Sequence, residues 1–515
     1  MYKRQRGQIL PLGLVFSTIM MLGAFVVFNT GQVATEKTRL ANVADAAAYS
    51  GALWQARALN FQAYSNRAMV ANQVAIAQAV SLRSWAAYGA VTSGNIATVF
   101  SALPIVNTIT AGVDTGMTLF QRVVIPVSEA TVRMSSAINR ALSEAQRIMY
   151  LGTVAATPDI VNAVVEQSDR RFTAVSAYSA IGMAANLDQW RAFTTRYRNR
   201  DTQAMNERAE IINASLDDFS KKRNWKLGSW FFMILNPLVK NELIKEGTTK
   251  LTRYNTLQGP RWEWKAKDTL SWHIKTREWF SSKRVELPIG WAGAFANSTS
   301  SRVTLEGQGC GIVPGKRRCK SYMSRNEDAE SFADAGIPSP VRPVRTNVSM
   351  SGYGGVNAYH ALSTSSREKA DPRLRLKVQV SVDNQELVTS DSMPTAGRFD
   401  VMTDTAVSAV SSISTAEVYF QRPDLHRGAS KKAERANGYN PYWASRLTDT
   451  PLPERLLAFS LQRSGGNLSK ASAERQTQDP GYYDNHQQWS SGDRGGIETP
   501  LSGEAVSLPA YSDES

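Results

Sequence analysis

Between Ile9 and Asn29 the chain runs ILPLGLVFSTIMMLGAFVVFN without one charged side chain. A helix of about 20 apolar residues spans the hydrocarbon of a bilayer. Only a helix can do so alone, because lipid offers no partner to exposed backbone groups. Lys3, Arg4 and Arg6 precede the stretch with no acid among them. The positive-inside rule therefore keeps the N-terminus cytoplasmic and sends the rest of the chain across. The competing explanation is a cleaved secretory signal, which has a shorter apolar core and a small-residue cleavage site. Here the run is long, and Thr35–Ala48 continues it with helical character. The expectation is a retained anchor over 9–29. Gly13, Gly23 and Ala24 are its small residues, where another helix can approach closely.

Behind the anchor, residues 30–225 read as a helical stalk or bundle rich in Ala, Gln, Arg, Asn and Met. Leu40, Val43, Ala44, Ala47, Ala48, Gly51 and Ala52 recur at three- and four-residue steps and so share one narrow helical face. That face suits either an intramolecular core or a seam for other subunits. Ser84–Val113 also lacks charge, but its Gly, Asn, Pro, Ser and Thr lower its hydrophobicity. It reads as a buried or membrane-apposed helical hairpin, with a second span as the alternative. Further helices are expected over Val127–Tyr150, from Asp159 after Pro158, and through Asp201–Lys222. Leu227–Val239 is apolar but too short to span; it suits a core segment or an interfacial one anchored by Trp225 and Trp230.

From about residue 255 the period changes to two. Trp262 and Trp264 alternate with charged residues, and RLRLKVQVSV, ending at Val382, is a half-buried antiparallel strand by its alternation. Ser271–Ile274, Val285–Ile289 and Thr415–Pro423 read as strands too, and 322–370 and 384–400 as loops. Residues 464–515 hold three Lys or Arg against eight Asp or Glu and little apolar surface, the composition of a disordered tail. The body is basic: the whole chain carries +14. That charge suits an anionic contact or simple solubility. No basic run with interleaved aromatics reads as a nucleic-acid motif.

Cys310 and Cys319 flank GIVPGKRR. No His lies near enough to complete a metal site, so the expected pairing is a disulfide, worth about 2–3 kcal/mol if unstrained. His273, His360, His426 and His486 are scattered, and no G-x-S-x-G, P-loop or HExxH motif occurs. Asp217 and Asp218 read as part of a solvated helix face. His273, alternating with tryptophans, reads as a structural histidine. No catalytic residue, cofactor or metal is expected.

The first 75 or so residues resemble a known family. Arg6-Gly7 before the apolar helix, Arg39-Leu40 after it, and Ala44-Asp45-Ala46-Ala47 leading to Ser50-Gly51 are similar to the N-terminal segment of TadG-like (TadE/G-like) proteins of the Flp, or tight-adherence, pilus system. Ala56–Gln78, AEVYFQRP and NPYWASRL (Asn440–Leu447) also resemble that branch. The resemblance implies an inner-membrane protein with its bulk in the periplasm, helping to assemble, anchor or trigger a type IV-like pilus, with no active site. Its implied partners are other pilus-assembly or pilin subunits and inner-membrane lipids, with a homo-oligomer open and nucleic acid not expected. Gly7 is a possible processing point. Processed type IV pilins carry a glutamate where this chain has Leu12, which argues for an anchor over a filament core. Family members often end in a von Willebrand A domain. Asp218-Phe219-Ser220 begins its metal motif but continues Lys221-Lys222, so no such site is expected.

The fold class expected is α+β. It comprises a basic cytoplasmic N-terminus (1–8), a transmembrane anchor (9–29), the helical stalk or bundle (30–225), a periplasmic antiparallel-sheet α+β interaction domain (226–463) and the acidic tail (464–515). The rival functions are an envelope enzyme such as a cell-wall hydrolase, which needs carboxylates converging in a cleft, and a surface adhesin or structural protein released from the membrane.

Overall fold

The computed structural model describes residues 9–99, 104–228, 239–256, 259–277, 282–298, 311–313, 316–318, 325–341, 344–383, 386, 409–421 and 434–463. Two helices form its spine: α1 (Ile9–Val99, 91 residues) and α2 (Pro104–Ser168, 65 residues). They pack against each other as an antiparallel hairpin, with Trp85 of α1 edge-on to Phe120 and Met69 beside Asn139. The uncharged stretch 84–113 supplies the end of α1 and the start of α2. Helix α2 also runs through Pro158, where a fresh start was expected. Proline costs the helix one hydrogen bond. Thr153 and Thr157 donate back to Met149 O and Thr153 O, and buried Val161 and Val165 hold the following turns against α1.

The short elements follow in order. Helix α3 (Ala177–Phe193) is N-capped by Ser176, whose side chain accepts from Ser179 N, and leads into β1 (Thr194–Tyr197). The expected helix over 201–222 is two helices, α4 (Thr202–Ala214) and α5 (Asp218–Lys221). Asp217 caps α5 through Ser220 N at 3.4 Å, which breaks the run. Next come β2 (Trp225–Leu227), β3 (Val239–Thr256), β4 (Gly259–Arg277), β5 (Ser282–Asn297), the pair β6 (Gly311–Val313) and β7 (Lys316–Arg318), α6 (Glu327–Ala335) and β8 (Asn347–Met350). The chain continues through β9 (Tyr359–Leu362), α7 (Thr364–Glu368), β10 (Leu374–Asp383), β11 (Ala409–Phe420), β12 (Trp443–Thr448) and α8 (Leu452–Arg463).

The architecture is mixed helix and antiparallel sheet. One sheet has the order β10-β11-β12, and a second β2-β3-β4-β5-β8, in which β8 runs parallel to β5. Two-stranded pairs β1-β9 and β6-β7 complete the topology. The segment 322–370, expected to be loop, contains α6, β8, β9 and α7. The strands and α7 are too short to show a period: β9 is four consecutive buried residues, held by pairing with β1.

Helix α1 carries both large sheets in succession. Leu40, Ala44, Ala47, Ala48, Ala52 and Leu59 form one core with Leu374, Leu376, Val378 and Val380 of β10 and Val418 of β11. The small-residue face is therefore intramolecular core. Further along, Met69, Ile76 and Val80 pack on Trp264, Ala266, Ala294 and Ala296 of the second sheet. Small side chains on α1 let a strand lie close. At Gly51 an added Cβ would collide with Leu376 and crowd Val161.

Polar groups fix this register. Gln55, Gln62, Asn66 and Gln73 of α1 are all buried. Gln55 pairs with Asn186 of α3, Asn66 donates to His360 O and Gly438 O at 2.8 Å each, and Gln73 accepts from Trp264 Nε1 at 2.9 Å. Buried amides without partners are costly, so each one penalises a slipped helix. Asn60 donates to Trp443 O at 2.9 Å and accepts from Trp443 N at 3.0 Å, closing the outer edge of β12 as a neighbouring strand would.

Candidate functional site

Among the described residues nothing packs over the first turns of α1. Leu10, Leu12, Phe16 and Val27 are 76%, 73%, 65% and 73% exposed. Gly13 and Gly23 have no atom within 4 Å of an added Cβ, and Ala24 is exposed beside them. The hydroxyls in this segment are satisfied within the helix: Ser17 and Thr18 donate to Leu14 O at 2.9 and 2.8 Å, and Thr30 to Val26 O at 2.8 Å. That is how Ser and Thr are accommodated where water is absent. By length and composition two helices could cross a membrane, Leu10–Thr98 and Ala111–Ser168. In the first none of the most apolar 18-residue stretch is buried, against 22% in the second, whose remaining length is tied to the body.

Where α1 enters the body, an ion cluster clamps it. Buried Glu36 accepts from Arg171 at 3.1 Å and lies 3.7 Å from Arg39, while Arg171 also binds Asp169 at 2.7 Å. The hydrogen bonds from Arg171 hold the Asp169 carboxyl below the usual carboxylate range.

A second uncovered surface lies on α2. Phe120, Val127, Met134, Ala141, Ile148 and Ala155 repeat every seven residues, and Val123, Ala130, Ala137 and Leu151 fall between them at the complementary positions. All are exposed, Val123, Met134 and Ile148 at 64%, 63% and 70%. This 3.5-residue period is the geometry of a left-handed helix–helix seam. Glu144 is the one charged residue in the series.

Three segments far apart in sequence meet at one place. Ala56–Gln78 lies along α1; AEVYF belongs to β11 and WASRL to β12. Phe420 and Trp443 are register partners with rings 5.3 Å apart, and Asn60, Asn66 and Arg67 of α1 reach Trp443, Gly438 and Asn440. Asn440–Leu447 is thus a strap across the helix and the sheet edge.

His273 is structural, its Nε2 2.9 Å from Asn326 Oδ1. His360 is buried against Tyr150, with centroids 4.8 Å apart and neither ring nitrogen partnered. Burial, then the charges of Arg196 and Arg198, push its pKa down to about 4. Among the described residues no three His, Cys, Asp or Glu side chains form a group that could hold a metal ion. Lys3, Arg4, Arg6, Gly7, Cys310, Cys319, the tail 464–515 and most of Leu227–Val239 and of 384–400 lie outside the described residues. Between the two cysteines, β6 and β7 pair with Gly311 opposite Arg318.

Residues 7–57 match the family model described as putative Flp pilus-assembly TadE/G-like. The match covers the uncovered apolar turns of α1 and the small-residue face through Ala56. It supports a pilus-related role, and with the apolar helix it points to membrane anchoring. No curated protein and no solved structure matches the chain.

Proposed function

We propose that this chain is a non-enzymatic, membrane-anchored component of a Flp/Tad, type IV-like pilus assembly or secretion apparatus, acting by helix packing and by periplasmic protein–protein binding. The observation that carries the reading is the continuity of α1. Its apolar first turns are uncovered, and the same helix becomes the spine of the folded body. Residues 9–29 sit in the inner membrane, with Lys3, Arg4 and Arg6 on the cytoplasmic side and the body in the periplasm. Gly13, Gly23 and Ala24 offer close approach to a neighbouring membrane helix. The α2 seam offers a second helix-packing surface to a pilus subunit outside the bilayer.

Photo-crosslinking in the native cell tests both faces. A crosslinker at Gly23 or at Met134 should capture pilin or pilus-assembly subunits. Replacing Gly13 or Gly23 with leucine should weaken co-purification of those subunits. A mature protein whose N-terminus begins beyond Asn29, or crosslinks that never reach a pilus component, would overturn the proposal.

A further inference from the structure

A cleft of about 600 Å³ opens between α2, the end of β1 and the loop that leads into β9. Arg147 comes from α2; Arg196 lies in β1, and Arg198 and Asn199 just after it. The far wall is the 354–358 loop, including Asn357. The local structure explains the basic lining. Tyr197, the last residue of β1, turns inward onto Tyr359, and Arg196 and Arg198 on either side of it line the cleft.

The charges there do not balance. Glu144 accepts from Arg196 Nη2 at 2.9 Å and from Arg147 Nη1 at 3.4 Å. Arg198 has no ion pair among the described residues. Glu144 therefore serves two of the three guanidinium groups, and the nearby Asp201 carboxylate accepts from the Arg198 backbone N at 2.7 Å. Two polar atoms are buried without a partner: Arg196 Nε, a donor, and Asn357 Oδ1, an acceptor. A buried polar atom left unpaired costs about 1–3 kcal/mol, and unpaired groups in native proteins call for a specific explanation. Behind the cleft, burial first and then the charges of Arg196 and Arg198 push the His360 pKa down.

We propose that this cleft binds a short acidic peptide segment, with a carboxylate between Arg147, Arg196 and Arg198 and the adjoining peptide amide paired with the Asn357 side chain. Guanidinium forks match carboxylate geometry. Asn357 is half-buried with Oδ1 closed off, so a ligand N–H reaches that acceptor by rotation of the side chain. A phosphate dianion brings a single P–O–H among acceptor oxygens, whereas a peptide supplies carboxylate oxygens and N–H donors side by side. The volume is that of a few residues, and the site stands whether or not the chain serves a pilus.

The test is fluorescence anisotropy on the full chain in detergent micelles, with a labelled hexapeptide of alternating alanine and glutamate as probe. Arg198→Ala, an exposed position, should weaken binding by about tenfold or more, and Asn357→Leu should weaken it as well. Arg122→Ala, an exposed cation outside the cleft, should leave it unchanged, as should the fold by circular dichroism in all three variants. The glutamine version of the peptide should not bind. Three results would overturn the assignment: no binding of the glutamate peptide, equal loss in Arg122→Ala and Arg198→Ala, or displacement by inorganic phosphate beyond that by sodium chloride of matched ionic strength.

Discussion

Asp268 lies at the centre of the buried cluster that fastens the second sheet to α1, and its replacement by asparagine has a calculable effect. The side chain is 0% exposed and accepts from Arg223 Nε at 2.8 Å, Arg223 Nη2 at 3.1 Å, Ser84 Oγ at 2.7 Å and Lys245. The Arg223 and Lys245 side chains are 4% and 2% exposed. Asp268→Asn keeps the shape but removes the only negative charge bonded to both cations. Breaking a buried pair from one side costs about 3–5 kcal/mol, and two stranded cations put this case in the upper half of that range. Lys245 has an escape. Burial already depresses its pKa against the opposing pull of Asp268, and without the carboxylate it falls further. A lysine with a lowered folded pKa binds fewer protons folded than unfolded, so the variant gains stability as pH rises toward the unfolded lysine value. The deficit should therefore be largest near neutral pH and narrow by pH 10. Adding Lys245→Met should recover part of it at pH 7. Urea unfolding followed by tryptophan fluorescence, with Trp262 and Trp264 buried on the same strand, measures each value. A deficit below about 1 kcal/mol, or one independent of pH, would refute the reasoning.

Other positions test separate links. Gly182→Ala places a Cβ 2.7 Å from the backbone oxygen of Lys377; the clash should outweigh alanine's helix preference and cost about 1–3 kcal/mol, read as a lower unfolding midpoint. Arg83 is 6% exposed with Nε and Nη1 unpartnered, and burial lowers its pKa. Arg83→Met should raise the thermal midpoint, because an apolar side chain of similar length avoids the desolvation of a charge. His360, with a folded pKa of about 4, stays neutral while an unfolded histidine takes up a proton, so the native chain loses stability as pH falls from about 6.5 toward 4. His360→Phe should flatten the melting temperature across that window.

The readable parts of the sequence were those where one physical constraint acts over many residues. The uncharged run 9–29 and the alternation from Leu374 are of that kind, and both elements stand where expected. The buried amides were not legible. Gln55, Asn66 and Gln73 look like surface residues in an alanine-rich helix until the partners on α3, the β9 strand and β4 are in place. Pro158 misled because its local cost is real and is offset only by packing against α1. β8 and β9 are too short to show a period. The arginine cleft draws on α2, β1 and the 354–358 loop, so no local pattern announces it. The seam on α2 was hidden differently: its seven-residue repeat is visible in the sequence, but whether that face is covered is a tertiary fact.

The 91 residues of α1 form a single rod, about 137 Å long at 1.5 Å per residue. No hinge separates the proposed anchor from the body, because the ion clamp at Glu36 and the first core residue, Leu40, follow within a few turns. Such a rod acts as a lever. Transmembrane helices tilt by about 20° on average, and a tilt of that size sweeps the far end of α1 sideways by about 45 Å. A twist applied at the anchor turns both sheets with it, since each is bolted to the same helix by buried amides. Any neighbour that changes the pitch of the anchor therefore re-aims everything the body carries.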